Sequence, residues 1–582
     1  MIAKNWRAGR SAAAFLLALV LLGQGITAPF AKDAEPQSAQ WIADIVQHGH
    51  WLVPSDYYGF VDRKPPLYYW LSALVARAAN RDINEVRARV VALVAAAALA
   101  AIVLEWTAAT LTPATGGLAY FFLAGSYGFA SRAITALTDM LMTMLLFTTY
   151  CLVGRMLDEA RPSWRAIGGA GATLGLAILT KGPVVMVLLV LAVAIECALT
   201  RRRLRAIASW TWPWATLLTA VMIAALWYTP AAIAGRASGL PGVFFNENIG
   251  HFMPARLGGT GEAARPVYYI VVRLMGGIVP LFILVPAAVW SFRRDGFIAA
   301  ARRPLNRQLA LLLAVVLLFS AASAKRDDYI LPAIPPLMII LAALFTTLHA
   351  GEAGRRSVAA LLRDGAAGAI AVVILLGLAG ALVWVRSGIT IHAGRALQTS
   401  DASYAGIFLH GLAMQQWTFV GFELVMAVAS ISTLTGLLQG RVMLTGGGLA
   451  AIALAGAILW NGVIRPAELR SRSLVDFAAQ VRAQVGDAPI YVAYFDPEFA
   501  WYFGRGVPPL PTAFAQGGAP DATTIYFVAR PWELVRLALP VRQRLRVIAR
   551  TELLGGGGPP ALYAIPPPQR TNLKVKPPAA AR

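Results

Sequence analysis

Residues 11–37 read SAAAFLLALVLLGQGITAPFAKDAEPQ. The run to Phe30 is apolar enough and long enough to cross a bilayer, which takes about 17–25 such residues. Lys4, Arg7 and Arg10 precede it, so it also has the shape of a secretory leader with a cleavage site near Ala28. The acidic segment after Phe30 favours a retained first helix. Two carboxylates, Asp33 and Glu35, stand where the chain leaves the membrane. They read as either solvated loop charges or the chemical centre of the molecule.

The rest of the chain resolves the fold class. Of 582 residues, 58% are hydrophobic and 14% charged, against about 25% charged in an ordinary soluble protein. Mean hydropathy is +0.61. Apolar runs near 11–30, 88–106, 114–130, 137–154, 164–179, 182–199, 210–229, 269–290, 308–323, 329–348, 359–384, 416–438 and 444–462 predict a mainly α polytopic membrane protein of about thirteen transmembrane helices. The formal charge is +22, from 51 Lys and Arg against 29 Asp and Glu. No zinc-knuckle spacing or basic helix with interleaved aromatics accompanies it, so lipid phosphates and topology explain the excess and no nucleic-acid partner is expected. Cys151 and Cys197 fall in apolar runs and read as inert thiols.

Loop charge supports the count. With a cytoplasmic N-terminus, every second loop is rich in Arg: 155–165, RRRLR at 201–205, 293–307, 355–356 and Arg441. The alternate loops then face outward, including 31–87, 231–268, 324–329 and 385–415. Within the first of these, SAQWIADIVQHGHW has helical spacing and suits an interfacial helix. KPPLYYWLSALVARAA (64–79) opens on a Pro pair and predicts a second one. The expected domains are a transmembrane part, 1–465, with its acidic first outer loop at 31–87, a small outer α/β domain, 466–565, and a Pro-rich basic tail, 566–582. In the α/β domain, LVDFAAQVRAQV reads as a helix and PIYVAYF and TTIYFVAR as strands.

Six outer-face features stand in order: Asp33 with Glu35; DRKPPLYYW (62–70); SRAITALTDM (131–140); TKGPV (180–184); FFNENIGHF (244–252); and KRDDYILPAIPP (325–336). With GHWLVP ahead of KPPLYYW, they resemble the polyprenyl-phosphate-dependent glycosyltransferases of the GT-C fold. The nearest branch is the bacterial one that includes the lipid A aminoarabinose transferase and protein mannosyltransferase-like enzymes. Motifs carry the resemblance over roughly residues 10–345, and architecture alone carries it beyond.

The resemblance implies a sugar donor joined to a polyprenyl phosphate in the bilayer, a glycolipid acceptor such as lipid A or the lipopolysaccharide core, and a site at the periplasmic face of a bacterial inner membrane. Cations should then bind the lipid phosphate and stabilise the charge growing on it. Lys64 is the leading candidate, with Lys181, Lys325, Arg63 and Arg326 beside it and Tyr329 as a hydrogen-bond donor. Asp33 should orient or deprotonate the acceptor, with Glu35 and Asp139 assisting and Glu247 and Asn248 contacting the acceptor. In one respect the chain departs from the family. An acidic residue often precedes KPP, where this sequence has Arg63. A metal site built on that carboxylate is therefore in doubt, though Asp33, Glu35, Asp62, His48 or His251 offer alternative ligands for a divalent ion.

Two rivals belong to other classes. A transporter or lipid flippase would place polar groups near the bilayer midplane in paired repeats, whereas the charges here cluster at one face. A structural membrane subunit would not require the acidic first loop. Within the enzyme class, a protein O-mannosyltransferase is the alternative.

Overall fold

The computed structural model describes residues 2–31, 34–61, 64–159, 161–202, 210–234, 265–294, 296–348, 357–387, 416–516, 524–551 and 560–566. The first helix, α1 (Ile2–Leu22), stops well short of Phe30. Gly25 turns the chain there with φ +75°, a conformation open to glycine at no steric cost. An arginine from another helix takes up carbonyls beyond the turn. Two amphipathic helices come next, α2 (Ala34–His48) and α3 (Leu67–Ala78), as the periodicity of the first outer loop predicts.

The helical body then runs α4 (Glu85–Thr110), α5 (Pro113–Gly125), α6 (Tyr127–Ala133), α7 (Asp139–Asp158), α8 (Trp164–Lys181), α9 (Val184–Leu199) and α10 (Thr211–Ala234). Local chemistry sets several starts. Asn84 accepts from the Arg87 N–H at 3.0 Å, and Thr112 caps α5 just ahead of Pro113. The single run expected at 114–130 is divided at Ser126, whose extended backbone ends α5 and starts α6. The run expected at 269–290 is likewise a bent pair, α11 (Tyr269–Gly277) and a 3-10 turn leading into α12 (Val285–Arg293), the two halves meeting at 112°. Next come α13 (Ala299–Ala321), a 3-10 turn over Asp327–Ala333, α14 (Ile334–Ala343), α15 (Val358–Ser387), α16 (Gln416–Leu438) and α17 (Val442–Leu459). One π turn (Trp460–Ile464) joins α17 to α18 (Arg465–Arg472). Among the described residues, seven helices are long and apolar enough to cross a membrane, or eight if the bent pair counts as one span.

Charges mark both ends of these helices. Helix α7 starts at Asp139 and ends at Asp158, a length of 20 residues. At about 1.5 Å per residue it spans roughly the thickness of a hydrocarbon core. At the Asp158 end, Arg307 of α13 forms a buried pair with Glu196 of α9, Nη2 to Oε1 at 2.7 Å, and Tyr150 donates to Glu196 Oε2 at 2.9 Å. Arg202 and Arg303 close on Asp158. This is the loop-arginine belt of the sequence, and it packs as a network. Cys151 and Cys197 are both free and buried.

Beyond α18 lies a small α/β unit: α19 (Val475–Val485), β1 (Ile490–Val492), α20 (Pro497–Phe503), α21 (Thr512–Ala515), β2 (Ile525–Ala529), α22 (Leu539–Arg544), β3 (Arg546–Arg550) and β4 (Ala561–Ile565). The sheet order is β1-β2-β4-β3, with β1 parallel to β2 and the other pairs antiparallel. Phe477, Ala478 and Val481 of α19 pack against Ile490, Val492 and Phe499. The unit is docked on the segment between α1 and α4. Gln40 donates to the Pro497 carbonyl at 2.8 Å, the Tyr58 hydroxyl to the Asp496 carbonyl at 3.1 Å, and the Phe30 N–H to the Tyr502 hydroxyl at 2.7 Å.

Candidate active site

Arg89 lies in the first turns of α4, on a face of small residues that includes Ala88, Ala92 and Ala96. The guanidinium is buried there and is used in full. Its Nε and Nη2 meet Glu35 Oε1 and Oε2 at 2.9 and 3.1 Å. Nη1 donates to the Ile26 carbonyl at 3.0 Å and also to that of Ala28. One side chain thus holds the chain on both flanks of positions 32 and 33. The Ala136 N–H completes the Glu35 shell at 2.8 Å. Burial alone would push the Glu35 carboxyl up. The Arg89 charge and hydrogen bonds outweigh burial, and the group sits below its ordinary value. Glu35 is therefore an ionised structural carboxylate whose oxygens are both engaged.

Glu35 forms part of the wall of a cavity of about 570 Å³. Ser131, Arg132 and Thr135, from α6 and the turn after it, form a second side. Arg465 and Glu468 of α18 form a third, and residues 325–328 a fourth. Arg465 is fastened to α6 and its turn, donating to the Ser131 carbonyl and to Thr135 Oγ1, the latter at 3.0 Å. The π turn places Asn461 beside it, whose amide donates to the Ala130 carbonyl at 2.8 Å. A π turn inside a helix is a common mark of a functional site.

Asp328, buried at the start of the 3-10 turn, gathers the cations of the site. Arg132 Nη1 lies 2.5 Å from its Oδ1 and Arg326 Nη2 lies 3.4 Å from its Oδ2. Burial pushes this carboxyl up, but the charges of Arg132, Lys181, Arg326 and Lys64 pull it down to about 2. Two arginines therefore contact this carboxylate, and the charges of two lysines from other stretches of sequence also act on it. Lys181, at the end of α8, also pairs with Asp139 at the start of α7 and lies 5.6 Å from the centre of the Tyr329 ring. Tyr329 in turn stacks on Phe319 at 4.5 Å.

Lys64, Lys181, Asp139 and Tyr329 are thus drawn into one neighbourhood. Lys325 lines the cavity, yet its ammonium donates to the carbonyls of Ala322 and Arg265. Burial holds that ammonium below its ordinary value. Asp33, Arg63, Glu247 and Asn248 lie outside the described residues, as do Asp62 and His251. The sequence alone does not single out Arg89, Asp328, Arg465 or Asn461 as site residues.

The fold as a whole has counterparts among solved structures. The structure superposes on the crystal structure of ArnT from Cupriavidus metallidurans in the apo state with a TM-score of 0.66, covering 97% of this chain and 98% of that one at 18% identity. The same enzyme bound to undecaprenyl phosphate gives a TM-score of 0.65 over the same shares at 17% identity. The chain has the GT-C fold. Residues 63–228 match the family described as dolichyl-phosphate-mannose-protein mannosyltransferase. That stretch opens at the KPP motif and includes Lys64, Arg132, Asp139 and Lys181. Among curated proteins none matches the sequence.

Proposed function

We propose that the protein is an integral membrane glycosyltransferase that takes a sugar from a polyprenyl-phosphate carrier and passes it to an acceptor at the membrane surface. The convergence of Lys64, Arg132, Lys181 and Arg326 on Asp328, beside a cavity of about 570 Å³, carries the reading. A lipid phosphate entering this cluster meets four cations, held at present by Asp328 and Asp139 among others. In the reaction the acceptor oxygen attacks the anomeric carbon, the bond from that carbon to the phosphate oxygen breaks, and the lipid phosphate leaves with the electron pair. Lys64, Lys181 and Arg132 stabilise the charge it gains. Asp33 takes the proton of an acceptor hydroxyl, or orients an acceptor that is itself a phosphate and has no proton to lose. Asp139 positions Lys181 from beneath.

The solved relative bound to undecaprenyl phosphate supports a polyprenyl carrier for the donor. Its likeness over nearly the whole chain favours a lipid A or other cell-envelope glycolipid acceptor, and with it a bacterial inner membrane with the site facing the periplasm. The match to the protein mannosyltransferase family favours a second reading, a protein hydroxyl as acceptor. Mass spectrometry of membrane glycolipids from cells with and without the protein separates the two. Loss of one sugar mass from a glycolipid supports the first reading, and an unchanged glycolipid profile with a lost protein glycoform supports the second. Purified protein that consumes no polyprenyl-linked sugar overturns both.

A further inference from the structure

We propose that Asp44, His48 and His50 form a binding site for one divalent transition-metal ion of the zinc class, separate from the sugar-transfer cavity. The three residues each offer a ligand atom, and these atoms lie within 4.8 Å of one another. His48 Nδ1 is 2.9 Å from Asp44 Oδ1, and His50 Nδ1 is 3.0 Å from Asp44 Oδ2. An ion held tetrahedrally at about 2.0–2.2 Å from each ligand would set them about 3.4 Å apart. Each histidine reaches that spacing from Asp44 Oδ1 by moving about half an ångström or less, and the two histidine ligand atoms lie within 4.8 Å of each other.

The backbone is shaped for this set. Asp44 and His48 are one helical turn apart near the end of α2, so both project from one face. Gly49 comes next with φ +74°, the left-handed turn that brings His50 back over the same carboxylate. Asp44 is fixed from behind, because the Ser55 N–H donates to its Oδ2 at 2.8 Å. Metal-bound carboxylates are commonly oriented by a second partner in this way. Two imidazoles with one carboxylate are the ligand chemistry of zinc, nickel or copper, not of magnesium or calcium. The imidazoles are 60% and 57% exposed, which leaves the remaining coordination positions to water. None of the three residues lines the cavity.

An ion here would fasten the end of α2 to the strap that runs on to Lys64. The next links are already tied: the Trp51 carbonyl accepts from the Trp70 indole at 2.7 Å, and the Leu52 carbonyl from the Trp227 indole at 3.0 Å. The metal would be a structural staple on the loop that delivers the leading phosphate-binding lysine.

The test uses the full-length protein in detergent, purified with a tag free of histidine because the chain has only 6 histidines of its own. After chelator treatment the protein is titrated with zinc chloride, and bound metal is counted by elemental analysis. We expect one zinc per chain, no competition from excess magnesium, and a zinc-dependent rise in Tm. His48→Ala and His50→Ala should each weaken zinc binding at least a hundredfold and abolish the Tm rise. Both side chains are largely exposed, so these variants should fold. Asp44→Asn, which keeps an acceptor for Ser55, should behave likewise. Wild-type protein that holds no zinc, or histidine variants that hold as much as wild type, would overturn the proposal and leave the cluster as hydrogen bonds alone.

Discussion

Arg89 and Glu35 meet as a two-point ion pair, Nε to Oε1 at 2.9 Å and Nη2 to Oε2 at 3.1 Å, with both side chains buried. Removing one partner strands the other. We expect Arg89→Met to destabilise the protein by about 3–5 kcal/mol, because an unpaired buried charge costs far more than a lost pair gains. Replacing both residues, as Arg89→Met with Glu35→Gln, should recover part of that loss. Thermal unfolding of the two single variants and the double variant in detergent measures the difference. Equal destabilisation of single and double variants would show that the carbonyl contacts, and not the pair, hold the turn.

Acid should act through the same kind of group. Asp328 sits at about 2 against an ordinary 3.8, and Glu35 also lies below its ordinary value of 4.5. A carboxyl depressed in the folded state stabilises above its unfolded value and loses that contribution as pH falls toward the folded one. For Asp328 the window is pH 4 to 2, with on the order of 2 kcal/mol at stake. Asp328→Asn should flatten the dependence of Tm on pH in that range relative to wild type. A variant with an unchanged slope would mean that other carboxylates govern the acid limb.

Lys64 and Lys181 should matter to turnover more than to folding. If they bear the charge of the departing lipid phosphate, Lys64→Ala and Lys181→Ala each lower kcat by about 10²–10³. Tm should change little for Lys64→Ala. Initial rates with a polyprenyl-phosphate sugar, set beside the unfolding curves, separate a catalytic from a structural role. Asp33→Ala is the companion variant, and wild-type transfer by it would remove Asp33 from the mechanism proposed.

The α/β unit is fastened to the helical body partly through one hydroxyl. Tyr502 receives the Phe30 N–H at 2.7 Å and donates to Glu85 Oε1 at 3.1 Å. Tyr502→Phe leaves that N–H without its acceptor, a loss of about 1–3 kcal/mol. Limited proteolysis should cut the variant near the junction faster than wild type, while transfer to a soluble acceptor analogue should be affected less.

The sequence is most legible where one segment decides its own structure. Hydropathy marks the long spans, and period-two and period-3.6 patterns mark β1, β2, α2, α3 and α19 in place. The failures lie where partners are distant. Arg89 and Glu35 are 54 residues apart, and in sequence Arg89 is only the second arginine of EVRARV at a helix start. Its burial results from the alanine face that surrounds it, a pattern visible in the chain but without meaning until a carboxylate is aimed at it. Asp328 hides in the same way. Next to Lys325 and Tyr329 it looks like a solvated neighbour, and only the fold brings Arg132 and Lys181 to it. Arg465 reads as the last residue of the transmembrane part, yet it closes the cavity because a π turn carries the preceding helix onward. The short strands β3 and β4 give no strong alternation, since β4 is buried on both faces and β3 is largely exposed.

The buried pair of Glu196 and Arg307 bears on how the molecule is made. The two residues are 111 positions apart, so a growing chain that has delivered α9 to the membrane has Tyr150 but not Arg307 to offer this carboxylate until α13 arrives. During that interval the short α9 is a poor resident of lipid, where a carboxylate without its counter-charge is costly. Insertion and assembly are thereby coupled in time. A chain truncated between the two residues should be retained by the insertion machinery or degraded, and Glu196→Gln should relieve that delay.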